Sequence, residues 1–128
     1  MNSPSALLKH VSVAAKDSTL VATFDIDGNI PNSGAYVVGL VAASPDHSHQ
    51  RRMEIEFMNG EAVSFFCFSH DGTEENFDLG GVEHSGNTIT GNFPLSTVMG
   101  LEKNHLMTAF SDCDGRDYQA NVPVDKSL

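Results

Sequence analysis

Two histidines separated by one residue, His47 and His49, stand five positions ahead of Glu54 in the stretch "PDHSHQRRMEIEFMNGE". Imidazoles at i and i+2 share one face of a strand, and with a carboxylate they make a nitrogen and oxygen ligand set suited to zinc or iron. In a loop the same imidazoles are merely solvated, and Pro45 with Asp46 mark this segment as a turn. A second place for metal chemistry is "SDCDGRDYQ", residues 111–119, whose D-x-D-G spacing is echoed by "DIDGN" at residues 25–29. An EF-hand loop needs glycine at its sixth position and a bidentate glutamate at its twelfth. Here glycine is fourth in both stretches, and the twelfth residue is Pro123 in one and Tyr36 in the other. The residues read as turn chemistry, and calcium is not required.

The segment from His47 to Gly60 resembles the first metal motif of the cupins, in which two histidines and a glutamate on neighbouring strands hold a transition metal inside a β-barrel. The resemblance implies a metal-dependent enzyme or metal-binding protein using His47, His49 and Glu54. The second motif of that family, a glycine and proline run leading to a further histidine, has no counterpart, since Pro94 is followed by "LSTVMGLEKNH" with a different spacing to His105. Other catalytic patterns are missing. There is no G-x-S-x-G elbow and no glycine loop leading into a helix to cradle phosphate, and Glu74 and Glu75, being adjacent, point to opposite faces of any strand they occupy. The expectation is therefore a non-catalytic binding or self-association module without a cofactor.

The elements that position these residues are strands. The 128 residues suit one domain, spanning 1–128, and Gly, Pro, Asn and Asp punctuate the chain at intervals of roughly 8 to 12 residues. In "STLVATFDI", Leu20, Ala22, Phe24 and Ile26 fall on one side and Thr19, Thr23 and Asp25 on the other. "GAYVVGLVAAS" is apolar on both parities, which suits a central strand, and Gly34 and Gly39 argue against a helix. These patterns predict an all-β fold: a single antiparallel β-sandwich of about seven to nine strands. At most one short helical turn is expected, near 94–100, where Pro94 and Ser96 precede Gly100.

Register then decides which side chains face outward, because a slip of one residue turns a strand over. Asn59 and Gly60 form a two-residue hairpin turn, and counting back pairs Phe57 with Ala62, Ile55 with Ser64 and Met53 with Phe66. That register sends Val63, Phe65 and Cys67 outward beside Arg52, Glu54 and Glu56. With Val37 and Val41, the exposed Val63 and Phe65 make an apolar face on which a second copy of the chain is expected to pack as a homodimer. For the last hairpin, a three-residue loop of Cys113, Asp114 and Gly115 pairs Asp112 with Arg116 and Phe110 with Tyr118. The two-residue alternative would set Asp112 against Asp117.

Charge narrows the partners. With 17 acidic and 7 basic residues the chain carries a formal charge of -10, which repels polyanions, so nucleic-acid binding is disfavoured. No apolar run approaches the roughly 20 residues that span a bilayer, and no membrane association is expected. "MNSPSALLKHVSVAA" does not read as a secretory signal, which points to the cytoplasm. Cys67 and Cys113 are expected to be free thiols.

Overall fold

The computed structural model describes residues 7–46, 50–69, 72–94, 106–114 and 116–127. Eleven strands lie among them: β1 (Leu8–Lys16), β2 (Thr19–Ile26), β3 (Ala35–Ala43), β4 (Gln50–Met58), β5 (Glu61–Ser69), β6 (Glu74–Asn76), β7 (Val82–Ser85), β8 (Thr88–Pro94), β9 (Leu106–Cys113), β10 (Arg116–Pro123) and β11 (Asp125–Ser127). Two sheets form the expected β-sandwich, one ordered β11-β1-β2-β8-β7 and the other β10-β9-β3-β4-β5-β6. Pairing is antiparallel except between β11 and β1. The strand number exceeds the expected seven to nine because β6 and β11 are three-residue edge strands. The helical turn expected near 94–100 lies, beyond Pro94, outside the described residues. A 3-10 turn occupies Leu79–Gly81, where the Asp78 carboxylate accepts a hydrogen bond from Gly80 N–H at 2.8 Å.

Alternation places the core as the sequence indicates. Leu20, Ala22, Phe24 and Ile26 of β2 are all fully buried against Tyr36, Val38, Leu40 and Ala42 of β3 and its neighbours. β3 is central, flanked by β9 and β4, and both cysteines are free. One side of the sandwich is closed by a side chain: Gln119 of β10 accepts from Leu8 N–H at 2.6 Å and donates to Leu8 C=O at 3.3 Å, pairing with β1 as a strand would.

The β9–β10 hairpin takes the register that cross-strand charge disfavours. Cys113 pairs with Arg116 and Asp112 with Asp117, so that only residues 114 and 115 lie between the strands. The reason is a contact distant in sequence. Asp114, at φ +53°, donates its N–H to Ala35 C=O at 2.8 Å and accepts Ala35 N–H on its carboxylate at 3.0 Å. On the other side of β3, Asn59 at φ +52° does the same to Gly34, with N–H to C=O at 3.0 Å and its side-chain oxygen accepting Gly34 N–H at 2.9 Å. Two hairpin turns thus clamp the start of β3. Gly34 leaves room for one of them, since a Cβ there would overlap the Asp114 carboxylate. The ladder recovers further along β10 through two register shifts, between Asp117 and Gln119 and between Gln119 and Val122.

In the β4–β5 hairpin the Asn59–Gly60 turn is as expected, with Met58 opposite Glu61 and Phe57 opposite Ala62, but the register beyond it is not. Glu56 pairs with Ser64, Ile55 with Phe65 and Met53 with Cys67, so Val63 is an extra residue in a β-bulge. Val63 is 49% exposed, as expected of an outward residue. Phe65, expected outward, is 2% exposed, and Cys67 is likewise buried. The physical reason is aromatic packing across the sandwich: Phe65 meets Phe93 of β8 at 4.7 Å between ring centroids and Phe77 at 5.2 Å. Phe66 and Phe68 take the outward positions instead. Phe65→Ala should therefore destabilise the fold by about 3–5 kcal/mol, whereas Phe68→Ala should stay within about 0.5 kcal/mol. Urea unfolding of the two variants checks this, and equal losses would show that the strand is not turned over.

Candidate functional site

The outward positions of the six-stranded sheet form three rows fixed by register. Thr108, Val41, Arg52, Phe68 and Glu74 lie side by side; below them run Phe110, Gly39, Glu54, Phe66 and Asn76; then Asp112, Val37, Glu56 and Ser64. The middle row explains the glycine in a valine-rich strand. A Cβ on Gly39 would stand 2.5 Å from the tip of the Phe110 ring, so the ring lies across β3 where a side chain is missing. Phe110 is thereby only 6% exposed although it belongs to the outer face.

Arg52 sits over that ring. Its guanidinium carbon is 4.1 Å from the Phe110 centroid, and its Nε donates to Glu54 Oε2 at 2.8 Å. The pair is half open, with side-chain exposures of 46% for Arg52 and 15% for Glu54. Burial pushes the Glu54 carboxyl above its usual pKa, and the Arg52 charge and hydrogen bond pull it part of the way back. Two depressions flank the ridge made by Val41 and Arg52. One, of about 210 Å³, opens where β10 departs from β9 and is walled by Phe110, Asp112, Gln119 and Asn121. Asn121 holds a left-handed φ of +56° at that departure. The other, of about 170 Å³, is lined by Gln50, Arg51, Phe68 and Ser69.

Of the residues singled out in the sequence, Val37, Val41 and Val63 lie on this outer face, with Val63 at its bulged margin, while Phe65 belongs to the core. His47 and His49 lie outside the described residues. Glu54 faces away from the packed interior and is engaged by Arg52, unlike the inward glutamate that the cupin resemblance implies. Among the described residues no group of three or more His, Cys, Asp or Glu is placed to hold a metal. Asp114 sits in the turn at a positive φ, as expected of a turn residue, and its bonds go to Ala35 of β3. Phe66, Phe68, Phe110 and Arg52 were not singled out as site residues from the sequence. Gly39 was the available signal for the Phe110 and Arg52 stack, because a glycine inside a strand often marks a close approach by a neighbour.

The outer face of the five-stranded sheet is different in kind. Ser12, Thr23, Thr90 and Glu83 form one row, and Asp25, Thr88 and Ser85 another, with Thr88 donating to Asp25 at 3.1 Å. A broad depression of about 390 Å³ there is lined by Glu83, His84, Ser85, Thr88 and Thr90. Among the described residues no helix is long and apolar enough to cross a membrane.

Comparison of the chain with protein-family models, with curated proteins and with solved structures finds no match. A β-sandwich alone assigns no activity, so function has to be argued from these surfaces.

The partly buried Glu54 carboxyl gives a pH test. A group whose pKa is higher in the folded chain binds more protons there, so its favourable contribution is present below the unfolded pKa and is lost as pH rises through the folded one. Glu54→Gln keeps an oxygen for Arg52 and removes the charge. Its stability should fall less than that of the native protein as pH rises from the acid side of the carboxylate range to neutrality. Urea midpoints across that range measure the difference, and a parallel pH dependence would contradict it.

Proposed function

We propose that the chain is a non-catalytic binding or self-association module whose binding surface is the outer face of the six-stranded sheet. One observation carries the reading: Val37, Val41, Phe66, Phe68 and the Phe110–Arg52 stack lie on this face, while the corresponding face of the other sheet is mostly hydroxyls and carboxylates, with Ala14 and Val21 as its apolar members. Apolar surface marks interaction sites, here as two strips on β3 and β5 divided by the charged side chains of β4, and aromatic residues with arginine are the side chains that dominate interface energetics. The two flanking depressions, at about 210 and 170 Å³, are smaller than the roughly 300–1,000 Å³ of small-molecule pockets and suit single side chains of a polypeptide partner.

The sheet edges are poor alternatives. β6 is three residues long and begins with Glu74 and Glu75, β7 has four residues, β11 has three, and β10 is twice irregular and ends in Pro123. Short, charged and bulged edges resist strand addition, which leaves the face.

A second copy of the chain fits this face through Val37, Val41 and Val63, with Phe66 and Phe68 in the place first given to Phe65. Apolar contact favours that pairing, and a formal charge of -10 on each copy opposes it. Self-association should therefore strengthen with salt, as screening shortens from about 30 Å at 0.01 M to about 3 Å at 1 M. Sedimentation at both ionic strengths should show a monomer at low salt and a dimer at high salt, with the dimer lost in Phe68→Asp. A native protein and a Phe68→Asp variant that sediment alike under all conditions would remove the face from consideration.

A further inference from the structure

We infer that the occupant of this face is a basic polypeptide segment, one that carries lysine or arginine next to apolar side chains. The inference rests on reading the face as the binding surface and goes further by naming the partner's chemistry. Among the described side chains, the three rows present Glu54, Glu56, Glu74 and Asp112 against a single cation, Arg52. The Arg52 charge is already engaged by Glu54 at 2.8 Å, so carboxylates outnumber cations in the rows, and the charged side chains of β4 stand between the valines of β3 and the phenylalanines of β5.

The arrangement of these groups matters as much as their sum. Phe66 and Phe68 stand side by side with Asn76 and Glu74 of β6, and Glu56 follows one row below, so carboxylates border the apolar patch on two sides. The depression beside Phe68 is lined by Arg51 and Arg52 and disfavours a cation, whereas the one beside Phe110 includes Asp112 and Asn121 next to Arg52 and suits a cationic or polar side chain. Cationic side chains also bury long apolar stems while keeping their charge at the rim, which matches this pattern. A second copy of the chain brings the opposite composition, with 17 acidic residues against 7 basic ones. Charge complementarity of this sort raises the rate of encounter and rejects like-charged partners.

The test uses the full chain and three short synthetic peptides of equal length: lysine alternating with leucine, lysine alternating with serine, and glutamate alternating with leucine. Fluorescence anisotropy at physiological salt reads their binding. The lysine–leucine peptide should bind about tenfold tighter than either of the others, since both charge and apolar contact are required. Phe68→Ser should weaken it about tenfold and Glu56→Gln about threefold, while Glu83→Gln on the opposite sheet should leave it unchanged. Equal binding of the lysine–serine peptide, or an equal effect of Glu83→Gln, would show attraction to overall charge only and overturn the inference. Equal binding of the glutamate–leucine peptide would overturn it in favour of plain apolar contact. A dimer at low salt that Phe68→Asp dissociates would also overturn it, by making the second copy the occupant, yet would leave the face as the binding surface. No peptide binding together with salt-independent monomers would sink both readings.

Discussion

One extra residue, Val63, determines what this protein presents to its surroundings. The Asn59–Gly60 turn pins Met58 opposite Glu61, and the aromatic core requires Phe65 to reach Phe93 on the facing sheet. Those two demands differ by one position along β5. The bulge absorbs the difference, and in doing so turns the rest of the strand over. Phe65 and Cys67 become core, Phe66 and Phe68 become surface, and the outer face of the six-stranded sheet acquires its two phenylalanines.

The same face is held in place laterally by what Gly39 lacks. With no side chain there, Phe110 lies flat across β3, and Arg52 is fixed above it by the ring on one side and Glu54 on the other. An arginine restrained in this way loses less freedom when a partner arrives, which is how preorganised surfaces gain affinity. Stability and function make separate demands here. Phe65, Phe77 and Phe93 join the sheets through a cluster of rings, whereas Phe68 and Met58, 43% and 45% exposed, add little to folding and stand where a partner would touch them.

Much of the fold was legible because it is local. Leu20 to Ile26 alternate without interruption, and Asn59 with Gly60 states its turn chemistry in two residues. The bulge was not legible, because both parities of "SFFCF" are apolar and either set can face a core. The β9–β10 register misled for a related reason: cross-strand matching favours Asp112 against Arg116, but Asp114 answers to Ala35, 79 residues away in sequence. Of the candidate site, the valines were visible as outward parity and the Phe110–Arg52 stack was not, since it joins β9 to β4 across a strand that lies between them. His47 and His49 fall outside the described residues, and of the three proposed ligands only Glu54 has a described environment, in which an arginine is its partner.

The orientation of β5 is the claim on which the rest stands, and the thiol of Cys67 reports it without disturbing the phenylalanines. Cys67 is 5% exposed, and burial raises its pKa, so its thiolate is both shielded and scarce. In a Cys113→Ser background, native-state labelling with an aromatic disulfide reagent isolates this single site. The account predicts that Cys67 reacts only when the sheet opens, at a rate that follows the protein's unfolding free energy as urea is added. Labelling in the absence of urea at the rate of the unfolded chain would place Cys67 on the outer face, and would contradict the bulge and the binding surface built on it.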